Sequence, residues 1–328
     1  MTAPRILPAN DREAIALAAD ALRAGDLVAF PTETVYGLGA DAGDPRAVAK
    51  VYAAKGRPSF NPLISHFADT ASAQAHGAFG DAAMRLADAF WPGPLTLVVS
   101  RNQASNISDL ACAGLETVAL RVPKGADAHA LLAAFGGPVV APSANRSGYV
   151  SATTAQHVAG DLGEAVAIVL DGGPTGIGIE STIVDCSGER ARILRSGAIT
   201  REQVREVLGE LLSDDDAHDG EIAAPGMMAS HYAPSVPVRL DARSILAGEA
   251  AILFGGTEPS GLENAAHVAN LSTSGDLIEA AANLFTVLRD LDAAGARAIA
   301  VAPIPQTGLG EAINDRLRRA AAPRDSGS

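Results

Sequence analysis

The chain has 328 residues, of which 48% are hydrophobic and 4% aromatic, and its formal net charge is −13. This length is enough for two domains with buried cores, at roughly 100–200 residues each. The acidic charge argues against tight binding of nucleic acid, because phosphate-binding surfaces are basic, and fits better a small anionic substrate held by a few local cations.

The two cysteines, Cys112 and Cys186, predict neither a disulfide framework nor a metal site. Two buried or half-buried thiols in a reducing compartment are expected instead. The first residues contain no continuous apolar run, and no apolar stretch reaches about 18 residues. We therefore expect a cytoplasmic protein without a signal peptide or a membrane span.

Residues 1–212 show helix and strand patterns in irregular order. Asn10 and Glu13 resemble a capping box before a helix that ends at Gly25, and a strand is expected at Asp26–Phe30. Asp44-Pro45 predicts the start of a second helix, and Thr200 with Gln203 predicts a last one reaching about Leu212. Further predicted strands are Leu63–Phe67, Leu95–Ser100, Thr117–Val122, Val139–Ala141, Ala167–Leu170, Ser181–Cys186 and Arg192–Leu194. Short strands with helices grouped between them favour a twisted mixed sheet of the α+β kind.

Residues 213–235 have the composition of a linker, with a run of acidic residues followed by PGMMASHYAP. A connection of this length without secondary structure suggests a function of its own. Beyond it, strands are predicted at Ala251–Phe254 and Ala298–Ala302, with a helical stripe from Leu277 to Leu291 between them and a final helix at Leu309–Ala320. This order predicts a small Rossmann-like α/β domain over residues 236–322, and the tail, 323–328, is expected to be disordered.

Several common site motifs are missing from the sequence. No Walker-type phosphate loop and no G-x-G-x-x-G after a strand occur, and neither H-E-x-x-H nor C-x-x-C is present. The absence of G-x-S-x-G argues against a serine hydrolase. No protein-held metal is therefore expected.

Polar residues instead follow several predicted strands. Hydroxyl side chains are abundant in these loops, namely Thr32, Thr34, Ser143, Ser147, Ser151 and Ser181. Hydroxyl and backbone N–H groups at strand ends can hold a phosphate, a ribose or an amino acid, because the sheet fixes their geometry.

The candidate cations each stand within two residues of glycine or proline, at the end of an element. They are Lys55, Arg57, Arg121 and Arg195. Lys55 and Arg57, two residues apart in KGRP, suit a polyphosphate, but solvated surface charges are an equally good reading of the pattern. His66 on the apolar strand PLISHF is more often a core residue than a ligand, and Tyr232 reads most simply as packing at a domain boundary.

Nine segments taken together resemble the YrdC-like family of threonylcarbamoyl-AMP synthases, in the long form with an extra C-terminal domain. They are PTETVYGLGADA (31–42), KGRP (55–58), NPLISH (61–66), FWPGPLT (90–96), LRVP (120–123), PSANRSG (142–148), ESTIVD (180–185), LRSG (194–197) and PGMMASHYAP (225–234). Their joint order and spacing carry the resemblance, which covers residues 10–235. The C-terminal part is similar mainly in its position and α/β pattern.

The resemblance implies a reaction in which L-threonine, bicarbonate and ATP give threonylcarbamoyl-adenylate and pyrophosphate. A separate complex then transfers the threonylcarbamoyl group to the adenosine next to the anticodon of tRNA. Mg²⁺ is expected as the cofactor, held mainly by the ATP phosphates. The acidic charge agrees with an enzyme that does not itself bind tRNA tightly, and a monomer is expected.

The resemblance also implies a role for each matching residue. L-threonine would be held by Thr34, His66, Arg121, the backbone near Ala141, and Ser181. ATP would be held by Arg57, Asn61, Thr117, Ser143, Ser151, Arg195 and Tyr232. Lys55 and Arg57 are the expected catalytic cations, with Lys55 on phosphate or carbamate, and the linker would close over the site as a lid. This linker has no Lys or Arg between Met227 and His231, in contrast to the family pattern.

Two other functions stay open at this stage. An RNA-binding module of the same fold would bind tRNA tightly and salt-sensitively without releasing pyrophosphate, and the charge of −13 argues against it. A carbamoyl-transfer enzyme of the hydrogenase-maturation type would carry zinc-finger and acylphosphatase-like regions, which this chain lacks.

Overall fold

The computed structural model describes residues 4–213 and 231–323, which form two compact units. Among these residues the first unit takes 4–147, 152–176 and 180–213, and the second takes 148–151, 177–179 and 231–323. Most of the predicted linker and lid, 213–235, and nearly all of the predicted tail, 323–328, lie outside the described residues. Those two predictions therefore stay predictions.

The first unit is built on a mixed sheet. Its strands are β1 (Arg5–Pro8), β2 (Val28–Phe30), β3 (Gly37–Asp41), β4 (Ile64–His66), β5 (Gly77–Ala78), β6 (Leu95–Arg101), β7 (Thr117–Arg121), β8 (Val139–Val140), β9 (Ile168–Asp171), β10 (Thr182–Asp185) and β11 (Arg192–Arg195). The order across the sheet is β1-β9-β2-β3-β8-β4-β7-β6-β10-β11, with β5 paired to β6. Parallel pairs such as β4 with β7 and β6 with β10 alternate with antiparallel pairs such as β6 with β7. This arrangement confirms the predicted twisted mixed sheet.

The first unit has seven α-helices among the described residues, and in five of them an Asp or Thr side chain at the N-cap accepts a backbone N–H. The helices are α1 (Arg12–Arg23), α2 (Pro45–Lys55), α3 (Thr70–Gln74), α4 (Asp81–Phe90), α5 (Ala126–Phe135), α6 (Ala155–Leu162) and α7 (Arg201–Leu208), with 3₁₀ turns at Gly163–Ala165 and Gly209–Leu211. The predicted cap at Asn10 is wrong by one residue, because Asp11 accepts the N–H of Glu13. The capping box of Thr200 and Gln203 is confirmed.

The two faces of the central strands carry different side chains. One face belongs to the main hydrophobic core, through Leu97, Leu120 and Val140 among others. The other carries a small cluster made only of strand residues, namely Ile64, Val98, Ala119, Ile183 and Leu194. Side chains alternate along a strand, so the polar residues two positions from this cluster lie on its face.

The second unit contains a parallel sheet, as the strand and helix order predicts, and the sheet has four strands where the sequence predicts two. Its strands are β12 (Val238–Arg239), β13 (Glu249–Leu253), β14 (His267–Asn270) and β15 (Ala298–Val301), in the order β12-β15-β13-β14. Its helices are α8 (Leu277–Ala293) and α9 (Leu309–Ala321), with a 3₁₀ turn at Leu262–Asn264. The predicted stripe of α8 is buried from Ala280 to Leu291.

Both cysteines are free thiols, Cys112 buried and Cys186 half-buried, as the sequence predicts. Burial raises the pKa of Cys186 to about 12, so its thiol stays protonated at neutral pH. Within residues 4–213 and 231–323, none of the helices has the length and apolar character that crossing a membrane requires.

Candidate functional site

Arg121 occupies the centre of one polar group in the first unit. It ends β7, and its side chain is only 5% exposed. Its Nη2 donates to Glu33 Oε1 at 2.7 Å and to Thr34 Oγ1 at 3.0 Å. Its Nε has no hydrogen-bond partner in the described part of the chain. A buried guanidinium with an unused donor is well suited to binding an anion.

Glu33 holds Arg121 and a second loop at the same time. While Oε1 binds Arg121, Oε2 accepts the backbone N–H groups of Lys124 at 3.1 Å and Gly125 at 3.3 Å. Burial by itself raises the pKa of the Glu33 carboxyl, but the charge and hydrogen bond of Arg121 outweigh it and lower the pKa below its ordinary value. Glu33 is therefore an ionised partner that fixes the guanidinium.

His66 lies beside Arg121, because the two residues are register partners on the parallel strands β4 and β7. It is 2% exposed, and its Nδ1 is 3.1 Å from the carbonyl of Ile64. Burial, then the neighbouring charge of Arg121, lowers the pKa of the imidazole to about 3. The ring is therefore neutral at physiological pH. Ala141, buried on the other side of β4, donates its N–H to the same carbonyl at 3.0 Å.

Ser181 and Arg195 are brought together at the neighbouring strands β10 and β11. Arg195 donates from Nη2 to the Ser181 carbonyl at 2.8 Å and to its hydroxyl at 3.1 Å. The same hydroxyl is 2.8 Å from Thr96 Oγ1. Leu97 pairs with Leu120, so the preceding Thr96 lies next to Arg121 and connects this pair to the Arg121 group.

Lys55 joins the end of α2 to the loop PSAN. Its Nζ donates to the carbonyls of Ser143 and Asn145, each at 2.5 Å, and its own carbonyl accepts from Ser147 at 2.8 Å. Burial, then the charge of Arg57, lowers the pKa of Lys55 well below its ordinary value. The structure thus brings together Lys55 and Ser143, two predicted site residues from different motifs.

Arg57 and Asn61 form a third group after α2. Arg57 is 8% exposed and donates from Nη2 to the carbonyl of Pro62 at 3.1 Å. Asn61 is completely buried, yet neither its Oδ1 nor its Nδ2 has a hydrogen-bond partner among the described residues. A buried amide without partners costs free energy, on the order of 1–3 kcal/mol, unless a ligand supplies them.

Thr117 lies apart from Arg121, at the opposite end of β7. Ile64 pairs with Ala119 on parallel strands, so two residues earlier Pro62 lies opposite Thr117. Thr117 is therefore at the end of the strands where Arg57 and Asn61 lie. The predicted residues of the first unit therefore fall along the strands, with Thr34, His66 and Arg121 at one end and Asn61 and Thr117 at the other.

Ser151 and Tyr232 belong to the second unit. The carbonyls of Val150 and Ser151 accept hydrogen bonds from Arg289, that of Ser151 at 3.2 Å. The ring of Tyr232 is 1% exposed and stacks on Phe285, with 5.4 Å between centroids, and the guanidinium of Arg316 lies 5.3 Å from its centroid. Tyr232 has a φ of +60°, an uncommon and strained conformation for a residue with a side chain.

Sequence reasoning assigned no role to two residues that organise the site, Glu33 and Thr96. Both stand inside the recognised segments PTETVYGLGADA and FWPGPLT. Glu33 could have been found, since a buried arginine needs a carboxylate and Glu33 is the acidic residue beside Thr34. Thr96 gives no such signal, because its link to Ser181 depends on the pairing of β6 with β10.

Residues 4–213 and 231–323 contain no group of three or more His, Cys, Asp or Glu that could hold a metal ion. Apart from Glu33 and His66, the polar site residues are mainly cations, hydroxyls and an amide, which bind phosphate and carboxylate oxygens. Mg²⁺ commonly reaches such sites on the phosphates of a nucleotide, with water as its remaining ligands.

Comparison with known proteins identifies relatives over both units. A family profile described as Telomere recombination (Sua5_yciO_yrdC) matches residues 20–197, and one described as Threonylcarbamoyl-AMP synthase, C-terminal domain, matches residues 199–322. The threonylcarbamoyl-AMP synthase of Bacillus subtilis is 41% identical over 97% of this chain and 95% of its own length. That of Pyrococcus abyssi is 38% identical over 94% of each chain. The crystal structure of P. abyssi Sua5 complexed with L-threonine has a TM-score of 0.85 and 34% identity, over 98% of each chain.

Proposed function

Because the chain belongs to the threonylcarbamoyl-AMP synthase family, in the form with an additional C-terminal domain, we propose that it makes L-threonylcarbamoyladenylate from L-threonine, bicarbonate and ATP, releasing pyrophosphate. On this proposal it is a nucleotidyltransferase of the cytoplasm. Its product supplies the threonylcarbamoyl group that a separate complex attaches to the adenosine next to the tRNA anticodon.

The observation that carries the proposal is the buried Arg121, which keeps one donor unused while Glu33 and Thr34 fix its position. A guanidinium held in this way can bind the carboxylate of an amino acid. His66, which is neutral, and Ser181 offer hydrogen bonds to the hydroxyl and amine of threonine. The crystal structure of the P. abyssi relative with L-threonine supports this ligand.

ATP is proposed to bind the site residues that are not assigned to L-threonine. Arg57 can bind phosphate oxygens, and the buried amide of Asn61 has both a donor and an acceptor to offer to ATP. Thr117 is level with the same end of the strands. Ser143 stands in the loop held by Lys55, and Ser151 and Tyr232 are the remaining residues proposed as ATP ligands.

The Ser181 and Arg195 pair suits the point where the two substrates react. The amine of threonine and bicarbonate give a carbamate and water, and a carbamate oxygen then attacks the α-phosphorus of ATP while pyrophosphate leaves. Ser181 is the proposed threonine ligand and Arg195 the proposed ATP ligand, and their side chains are in contact at 3.1 Å. Cations at this junction would offset the charge that develops on the α-phosphate.

Mg²⁺ is proposed to enter with ATP, held by its phosphates. The chemistry it supplies when bound is neutralisation of phosphate charge. Lys55 and Arg57 would hold the phosphates in line with the carbamate, and Lys55 would also keep the PSAN loop in place through its two carbonyl bonds.

The proposal is tested by measuring pyrophosphate release from ATP while L-threonine, bicarbonate and Mg²⁺ are omitted in turn. Release should require all of them, and mass spectrometry should detect the adenylate product. Release that does not depend on threonine would contradict the proposal. Salt-sensitive tRNA binding without any release would favour the RNA-binding alternative.

Arg57→Ala tests the phosphate side. We expect release to fall by about 10²-fold or more, the usual cost of removing a transition-state donor. Arg190→Ala is a matched control, because Arg190 also donates to a backbone carbonyl, that of Leu212 at 2.6 Å, outside the proposed site. Circular dichroism checks that both variants fold. Unchanged turnover in Arg57→Ala would disprove the role of Arg57.

A further inference from the structure

The second unit contains a cavity of about 560 Å³ that the proposed reaction does not use. Its volume lies within the range of small-molecule sites, roughly 300–1,000 Å³. The segment 254–259, which follows β13, and the segment 302–305, which follows β15, supply most of the lining, and Ala242 and Arg243 complete it. All of these residues belong to the second unit.

The cavity lies at the point in the sheet where the chain stops placing strands on one side of β13 and places the next one on the other side. From β13 the chain continues to β14 on one side, and it then returns through α8 to β15 on the other side of β13. In an open parallel sheet, the loops after two such strands diverge and leave a crevice at the carboxyl ends. This crevice is the usual ligand site of such sheets.

The loop after β13 is fixed before any ligand arrives. Gly255 donates its N–H to the carbonyl of Ser272 at 2.7 Å, and its own carbonyl accepts from Asn270 Nδ2 at 2.9 Å. Asn270 Oδ1 in turn accepts the N–H of Ser272 at 3.1 Å. Gly255 has a φ of +68°, a conformation that favours glycine. The segment that follows Gly255 therefore starts from a defined position.

The next three residues leave their backbone donors available. Within the described part of the chain, the N–H groups of Gly256, Thr257 and Glu258 have no acceptor. The exposed side chain of Arg243 lines the same cavity. Successive free amides after a parallel strand, together with a guanidinium, are donors for a phosphate group.

The rest of the lining indicates the body of the ligand. Most of its surface is apolar, and Phe254, Pro259 and Pro303 present flat side chains on which a planar ring can stack. Glu258 can accept a hydrogen bond from a ribose hydroxyl, as acidic residues do in dinucleotide-binding sheets. Its negative charge offsets that of Arg243, so the cavity suits one phosphate better than three.

From these features we infer that the second unit binds a nucleoside monophosphate in this cavity. The phosphate lies against the amides of residues 256–258 and Arg243, the base lies on the apolar wall, and the ribose faces Glu258. This cavity is additional to the proposed ATP site, and its existence does not depend on the reaction proposed above.

Hydrogen exchange followed by mass spectrometry of the full chain tests the inference, because it reports where a ligand binds. AMP, GMP, CMP and UMP are added separately. The amides of residues 256–258 exchange fast without a ligand, since they have no acceptor. At least one nucleotide should slow exchange in peptides covering 254–259 and do so saturably. The absence of protection there with all four would overturn the inference.

Two variants and a control sharpen the test. Arg243→Glu removes the guanidinium. It should raise the nucleotide concentration needed for half-maximal protection at least tenfold. Gly256→Phe should abolish it by filling the cavity, since a Cβ at Gly256 meets open space and is compatible with the fold. Arg318→Glu, the same charge change at an exposed position of α9 outside the lining, should keep the protection. Equal protection by inorganic phosphate, or protection that survives both lining variants, would also overturn the inference.

Discussion

At the scale of single residues, the site depends on a buried ion pair, that of Arg121 with Glu33. Arg121 and Glu33 have side-chain exposures of 5% and 14%, and their ion pair of 2.7 Å is reinforced by two backbone donors to Glu33. Removing one partner of such a pair costs more than the pair contributes, because a charge stays buried alone. The carboxylate therefore decides whether Arg121 is held ready for a substrate anion.

Glu33→Gln should raise the KM for L-threonine roughly tenfold, equivalent to about 1.4 kcal/mol, while kcat changes less. The amide keeps the shape but loses the charge that orients Arg121. Glu249→Gln is the matched control: Glu249 is a buried carboxylate of the second unit, paired with Arg239 at 2.6 Å. It should lower stability without changing that KM. Equal effects of both variants on the KM would contradict the positioning role of Glu33.

His66 should make stability depend on pH. Burial lowers its pKa to about 3, whereas an unfolded imidazole titrates near about 6.5. As the pH falls, the unfolded state binds the proton first, so the contribution of His66 is complete above about 6.5 and is lost toward 3. The free energy of unfolding should therefore fall by about 1.4 kcal/mol per pH unit from this residue below pH ~6.

Urea unfolding at pH values between about 7 and 5 measures this effect as a difference between variants. His66→Gln should show a shallower decline than the unchanged protein, and His129→Gln, at an exposed position of α5, should show the same decline. A decline that His66→Gln does not alter would mean that another group carries it.

At the scale of elements, the end of α2 places two predicted cations. Gly56 ends the helix with a φ of +60° in the left-handed region, so Lys55 points to the PSAN loop while Arg57 turns toward Pro62. A side chain in this conformation costs about 1–2 kcal/mol. The helix end therefore sets the directions of both cations.

Gly56→Ala should destabilise the protein by about 1 kcal/mol and should also reduce pyrophosphate release. Gly136→Ala is its counterpart, because Gly136 ends α5 in the same left-handed region with a φ of +79°, and added Cβ atoms at both positions meet open space. It should cost similar stability and leave release unchanged. Thermal unfolding and initial rates measure the two effects, and an equal loss of activity in both variants would show that stability alone is responsible.

Elements with a clear period or cap could be predicted from the sequence, and those defined by tertiary contacts could not. Pro45, Thr200 and the stripe of α8 mark helices that the structure confirms. The strand Gly37–Asp41 is missed because GLGAD reads as a flexible loop. Its Gly39 is instead required by close packing, since a Cβ there would stand 2.9 Å from both the Phe30 ring and the carbonyl of Val28.

The candidate site also has features that the sequence predicts and features that only tertiary contacts define. Motif order put forward the candidate residues, most of which stand at or near the end of a strand or helix. The partners of those residues could not be predicted, since the contact of Ser181 with Thr96 and that of Lys55 with Ser143 join segments about 85–90 residues apart. Only the pairing of the strands brings such segments together.

At the scale of the whole molecule, the boundary between the two units is not a single point in the sequence. Residues 148–151 and 177–179 lie within the N-terminal part of the chain but belong to the second unit. There Gly148 accepts the N–H of Ala233 at 2.9 Å, and a Cβ at Gly178 would stand 2.5 Å from the carbonyl of Ala281. The second unit therefore fixes a short segment that carries Ser151, a proposed ATP ligand.

Arg289→Met tests whether this arrangement contributes to catalysis. The guanidinium of Arg289 donates to the carbonyls of Val150 and Ser151, and methionine retains much of the apolar stem while removing both bonds. Hydrogen bonds from charged groups are worth about 1.5–3 kcal/mol, so the KM for ATP should rise roughly tenfold or more if they hold Ser151 in place. The KM for L-threonine should change little, because its proposed ligands belong to the first unit.

Arg318→Met, at an exposed position of α9, is the matched control and should leave both constants unchanged. Arg289→Lys keeps the charge but not the two-pronged geometry, so it should restore the KM for ATP only in part. Initial rates at varied ATP and threonine separate these outcomes. An unchanged KM for ATP in a folded Arg289→Met protein would mean that the bonds from Arg289 do not position Ser151 for the nucleotide.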